Sequence, residues 1–162
     1  MKVISRLFFL FFMLISLNKP VLANEDGSFH LVVFGDSLSN GYSLPQEKGF
    51  TAVLQETLHQ KGFDNISVLN ASVSGDTTAN GLSRIDEVLD LSPHAVILEL
   101  GINDVLNGVN FKESEANLDK ILQIFQQHEI PVLLIGMRAP FLTNQINREE
   151  FIGMYKRMAK KY

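Results

Sequence analysis

The sequence predicts an α/β domain of three layers, α/β/α, with helices packed on both faces of a parallel sheet. Three observations lead there. Short, continuously apolar runs alternate with segments whose apolar residues recur at helical spacing, the pattern of strands buried on both faces and joined by helices. Three of the four apolar runs end in a short polar loop containing glycine, as the turns at the carboxyl edge of such a sheet do. The length, 162 residues and 18.2 kDa, suits one domain.

Residues 1–23 read as a cleaved secretory signal. Lys2 and Arg6 precede the apolar run Leu7 to Leu17, and Val21-Leu22-Ala23 places small residues where a signal peptidase cuts. The run falls short of the roughly 20 residues that a spanning helix needs. The domain is therefore expected over residues 24–162, exported to the periplasm or secreted. The first strand is His30 to Phe34, stopped by Gly35-Asp36-Ser37. Phe50, Val53, Leu54 and Leu58 then mark a helix that ends at Gly62. Ile66 to Leu69 is a second strand, followed by Asn70 and a loop rich in Ser, Gly, Asp and Thr. Leu82, Ile85, Val88 and Leu89 form the next helix, and Ala95 to Leu100 a third strand running into Gly101-Ile102-Asn103-Asp104. Leu118, Ile121, Leu122 and Phe125 give a third helix, Pro131 to Ile135 a fourth strand, and Phe151 to Met158 a last helix.

Composition removes several functions. The net charge is −4, and loss of the signal, with three basic residues and no acid, takes it to −7. An acidic body without a Lys/Arg stripe argues against nucleic acid and against an anionic membrane surface. The absence of cysteine excludes disulfides, thiolate metal ligation and a cysteine nucleophile.

Chemistry is expected at the three strand-end loops. Ser37, directly after a strand and before a helical turn, is either a nucleophile beside helix N-terminal amides or the N-cap of an ordinary turn. Gly75, within Ser72 to Thr78, either brings a backbone N–H to a ligand or belongs to a helix-start loop capped by Asp76 or Thr77. Asn103 either offers its side-chain NH₂ to a developing oxyanion or forms an Asx turn with Asp104 as cap. A third possibility is a hard-cation or phospho-acceptor site built from Asp36, Asp76 and Asp104, although no glycine-rich phosphate cradle accompanies them.

Taken together, Gly35-Asp36-Ser37-Leu38-Ser39-Asn40-Gly41-Tyr42, Asn70 to Thr78, Glu99 to Asp104 and Gly136-Met137-Arg138-Ala139-Pro140 resemble, in order and spacing, the motifs of the SGNH (GDSL) hydrolases. Within that family they resemble the exported acyl-CoA thioesterase I / lysophospholipase L1 / arylesterase group, over essentially all the chain from residue 29. The resemblance implies a flavodoxin-like parallel sheet and hydrolysis of carboxylic esters or thioesters through an acyl-enzyme. It implies Ser37 as nucleophile and oxyanion N–H donor, Gly75 as a second N–H donor, and Asn103 as a side-chain donor. Gly35, Asp36, Gly101 and Asp104 then support the motifs, with the two aspartates orienting loops. It implies no cofactor, no metal, a small-molecule ester substrate and a monomer in complete form. Leu106, Met137 and Phe141 are candidates for an acyl groove or for packing.

The resemblance stops at the triad. The family places Asp-x-x-His after a fifth strand, and no Asp-x-x-His occurs in these 162 residues. The nearest arrangement, Asp90 to His94, has one residue too many. His30, His94 and His128 are expected at the amino edge of the sheet, and His59 late in a helix running back to that edge. The sequence therefore reads as a C-terminally shortened member, with the triad Asp and His absent from the chain. Its fourth strand would be left as an apolar edge prone to aggregation. The competing function is an inactive homologue that binds ligand without turnover.

Overall fold

The computed structural model describes residue 23, residues 27–139 and residues 145–162. Apart from Ala23, the expected signal segment lies outside the described residues, as do Pro140 and Phe141.

Four parallel strands form the sheet: β1 (Phe29–Gly35), β2 (Ile66–Asn70), β3 (Ala95–Glu99) and β4 (Val132–Leu134), in the order β2-β1-β3-β4. The helices are α1 (Ser37–Asn40), α2 (Phe50–Gln60), α3 (Thr78–Ser83), α4 (Ile85–Leu89), α5 (Ile102–Leu106), α6 (Phe111–Gln127) and α7 (Gln145–Lys161). This is the βαβ alternation that the sequence predicts, and parallel strands require it because each must be re-entered through a crossover.

Alternation along the strands separates two faces. Val32, Phe34, Val96 and Leu98 face the main core, built with Val88 of α4, Leu118, Ile121, Leu122 and Phe125 of α6, and Phe151, Met154 and Tyr155 of α7. Val33 and Ile97, also buried, lie on the other face. That face meets α2 at β2, where Val68 and Asn70 border a crevice with Thr51, Ala52 and Gln55. The Gln55 carboxamide also closes the outer edge of β2. Its Nε2 donates to the Ile66 carbonyl at 2.8 Å and its Oε1 accepts from Val68 N–H at 2.7 Å, as a neighbouring strand would.

The helix expected around Leu82 to Leu89 is two short helices. Arg84 (φ −116°, ψ 22°) leaves helical geometry between them. Its side chain turns inward, donating from Nε to Asp76 Oδ2 at 2.6 Å and from Nη1 to the Ala71 carbonyl at 2.7 Å. β4 is shorter than its apolar run. No described strand pairs with its outer edge, and Leu133, in register with Ile97, is 61% exposed.

Candidate active site

The carboxyl ends of β1 and β3 and the loop after β2 converge on one spot. β1 ends at Gly35, which pairs with Glu99 at the end of β3. A Cβ on Gly35 would lie 2.8 Å from the Glu99 carboxylate and from Ser39 Oγ, so only glycine fits there. Asp36 follows, wholly buried, and caps α1 by accepting Leu38 N–H at 2.9 Å. Ser37 is the first residue of α1 and is half-buried.

The second loop is held to the first by main-chain bonds, Ala71 N–H to the Val33 carbonyl and Val73 N–H to the Gly35 carbonyl. Asn40 Nδ2 adds a bond to Ser74 Oγ at 3.0 Å. Gly75 is exposed with φ +92°, a conformation that side chains rarely adopt. Asp76 is buried against Arg84, whose guanidinium lies 4.8 Å from the Phe34 ring centroid.

The third loop supplies Asn103 on the first turn of α5. Its Nδ2 donates both to Asp36 Oδ2 at 3.2 Å and to the Asp76 carbonyl at 2.9 Å. One amide thus touches the neighbours in sequence of both Ser37 and Gly75. Asp104 is buried, accepting from Thr78 N–H at 2.8 Å, Thr78 Oγ1 at 2.5 Å and Ser114 Oγ at 2.8 Å. Gly101 lies under Tyr155 of α7, which donates its hydroxyl to the Leu100 carbonyl at 3.0 Å. Asp36, Asp76 and Asp104 have separate partners, and no group of three metal-ligating side chains occurs among the described residues. Leu106 is exposed, whereas Met137 packs against the core.

The histidines stand elsewhere. His94 Nδ1 accepts His30 N–H at 2.9 Å and its ring packs on Phe29, all at the amino end of β1. The strand from His30 to Gly35 alone is roughly 17 Å long. His59 sits one helical turn from Gln55, within hydrogen-bonding distance of its side chain, and His128 follows the end of α6. A proton acceptor must lie within about 3 Å of the hydroxyl it serves, or one water away.

Two features of this region carry no role in the sequence reading. Glu99 is 95% buried at the strand end, a lone acid in an apolar run that only its composition could have flagged. Burial first, and then the Asp36 charge, push its carboxyl up to about 7, against the lowering effect of the Ser39 hydrogen bond. Burial and the nearby charges of Asp76 and Asp104 likewise raise Asp36 above the usual carboxylate range. The other feature is Arg84, which no local pattern distinguishes from a helix-surface cation.

The model of the GDSL-like lipase/acylhydrolase family matches residues 33–162. The chain belongs to that family. Among curated members it is 37% identical over 139 residues to an arylesterase of Vibrio mimicus, and 35% identical over 133 residues to thioesterase 1/protease 1/lysophospholipase L1 of Escherichia coli K12. These alignments cover 85% and 82% of this chain but 69% and 62% of those lipase/acylhydrolase relatives. The chain thus spans about two thirds of their length. Among solved structures, AlinE4, an SGNH-hydrolase family esterase, superposes with a TM-score of 0.79 at 44% identity, covering 83% of this chain and 72% of that one. The parallel-sheet fold is that of the family's esterases.

Proposed function

We propose that this member of the family is a serine esterase or thioesterase in which Ser37 is the nucleophile. The substrates are carboxylic esters and thioesters such as acyl thioesters, lysophospholipids, and short-chain or aryl esters. The observation that carries the reading is the Asn103 amide, bonded at once to Asp36 and to the Asp76 carbonyl. It draws together the loops bearing Ser37 N–H and Gly75 N–H, two donors for the oxyanion, and its own NH₂ becomes the third by releasing one of these acceptors. Ser37 Oγ attacks the carbonyl carbon as a base takes its proton, the tetrahedral oxyanion collapses with that proton passed to the departing alcohol or thiol, and water then cleaves the acyl-enzyme to the free acid and restores the Ser37 hydroxyl. Gly35, Gly101, Asp36 and Asp104 shape and orient the loops. The step needs no metal or cofactor. The enzyme is exported, and its complete form is a monomer; among the described residues no helix is long and apolar enough to cross a membrane.

The proton of Ser37 needs an acceptor, and none of the four histidines lies in reach. That observation favours a second reading, a domain that binds esters or fatty acids without turning them over. Incubating the chain with p-nitrophenyl butyrate, alongside Ser37→Ala, separates the two. Hydrolysis that disappears in Ser37→Ala supports the first reading. Butyrate or ester binding with no acylation of Ser37 by mass spectrometry supports the second, and hydrolysis that survives Ser37→Ala overturns the assignment of the nucleophile.

A further inference from the structure

The most conspicuous group without a part in the proposed chemistry is the Glu99 carboxyl. It lies under the loop that carries Ser37, and its Oε2 accepts Ser39 Oγ–H at 2.8 Å and, at 3.4 Å, the N–H of Asp36. Its Oε1 is buried without a hydrogen-bond partner. These two donors flank Ser37 in sequence. Gly35 leaves the space that the carboxyl and the Ser39 hydroxyl occupy, since a methyl group there would meet both at 2.8 Å. We propose that Glu99 is a positioning residue for Ser37: its carboxyl moors the turn on both sides of the nucleophile and so fixes where the Ser37 N–H and Oγ point. The inference rests on the reading of Ser37 as nucleophile, but its mooring role can be measured separately.

The arrangement is sensitive to protonation. The groups that face this site are Asp36 after β1, Asp76 with its partner Arg84 in the second loop, Asp104 on α5 and Tyr155 on α7. All but Arg84 are acidic, and Arg84 is committed to Asp76 at 2.6 Å. A Glu99 that titrates close to neutrality therefore changes the bonds to Ser39 and Asp36 over a pH range in which the described groups around it include no cation but Arg84 to offset the new charge.

The test uses the whole chain labelled for NMR, with Glu99→Gln, Glu99→Leu and Ser39→Ala beside it. The amide resonances of Asp36 to Ser39 are expected to shift with pH about a midpoint near 7, in step with the Glu99 carboxyl carbon, and to be flat in Glu99→Gln. In p-nitrophenyl butyrate hydrolysis, Glu99→Leu and Ser39→Ala are expected to lower kcat by about 10²-fold with little change in KM, as a misplaced reacting group does. Glu99→Gln, which keeps an acceptor of the same shape, recovers most of that loss and loses the midpoint. Loop amides indifferent to Glu99, in a variant shown folded by its spectrum, overturn the proposal even if the chain hydrolyses esters. Loop amides that follow Glu99 in a chain without hydrolysis sustain the mooring and overturn the esterase reading instead.

Discussion

Asn103 Nδ2 and Asp36 Oδ2 are hydrogen-bonded at 3.2 Å across 67 residues of sequence. The bond joins the end of β1 to the first turn of α5, and the second hydrogen of the same amide is held by the Asp76 carbonyl. With both hydrogens engaged, the amide serves an oxyanion by releasing one of these two acceptors, so its loss removes a clamp between the loops as well as a donor.

Replacing Asn103 by alanine is therefore expected to lower kcat for p-nitrophenyl ester hydrolysis by about 10²–10³ with a small effect on KM. Asp36→Asn and Asn103→Ala should be non-additive, because the two share one bond. A double-mutant cycle on the hydrolysis rate checks both statements, and simple additivity would show that Asp36 does not act through Asn103.

The Asp76–Arg84 pair is buried on both sides, with side chains 11% and 13% exposed. Arg84→Ala strands the Asp76 carboxylate, removes the donor to the Ala71 carbonyl and takes the cation from the Phe34 ring. A loss of about 3–5 kcal/mol is expected in urea unfolding. Arg84→Leu should cost less in packing but leave the same stranded charge. A loss below about 1 kcal/mol in both would mean that the pair is dispensable.

Glu99 gives the stability a definite pH slope. Its carboxyl titrates near 4.5 when unfolded and near 7 when folded, so the folded state binds the extra proton between those values. Stability from this group is complete below pH 4.5 and is lost as pH rises through 7, by at most about 3 kcal/mol. Urea unfolding followed from pH 5 to 8 should show this decline in the native chain and a flatter profile in Glu99→Gln. Equal slopes in the two would remove Glu99 as its source.

At the other side of the sheet, β4 presents an edge that no described strand pairs with, beside a groove of about 510 Å³ lined by Leu122, Ile130, Val132, Leu134 and Met158, among others. With Leu133 also exposed, the 162-residue chain is expected to self-associate as its concentration rises. Sedimentation should detect this, and Leu133→Lys should reduce it. A native chain that stays monomeric and unfolds cooperatively would refute the expectation.

The fold was legible because strand burial leaves a direct mark: Val32-Val33-Phe34 and Val96-Ile97-Leu98 are apolar without interruption, and they pair in register at the centre of the sheet. The loops were legible for a related reason, since Gly35-Asp36-Ser37 and Gly101-Ile102-Asn103 stop those runs abruptly. What stayed hidden was interaction across distance. Nothing local distinguishes Arg84 from a surface cation until Asp76 and Ala71 lie beside it. The sequence reading assigned Glu99 no role of its own, because its burial becomes apparent only when β1 brings Gly35 opposite. The break between α3 and α4 has the same origin, an inward turn of Arg84 that the spacing of Leu82, Ile85 and Val88 passes over.

The Gln55 carboxamide gives the sheet a direction of growth. By occupying Ile66 O and Val68 N–H it makes β2 a sealed margin at that point, whereas β4 keeps its outward amides and carbonyls unclaimed by any described strand. Among the described residues, a further strand, whether from the same polypeptide or from another, thus meets no such obstacle at β4. Replacing Gln55 by alanine would free that point of β2 as well, so that the sheet could be extended from either margin.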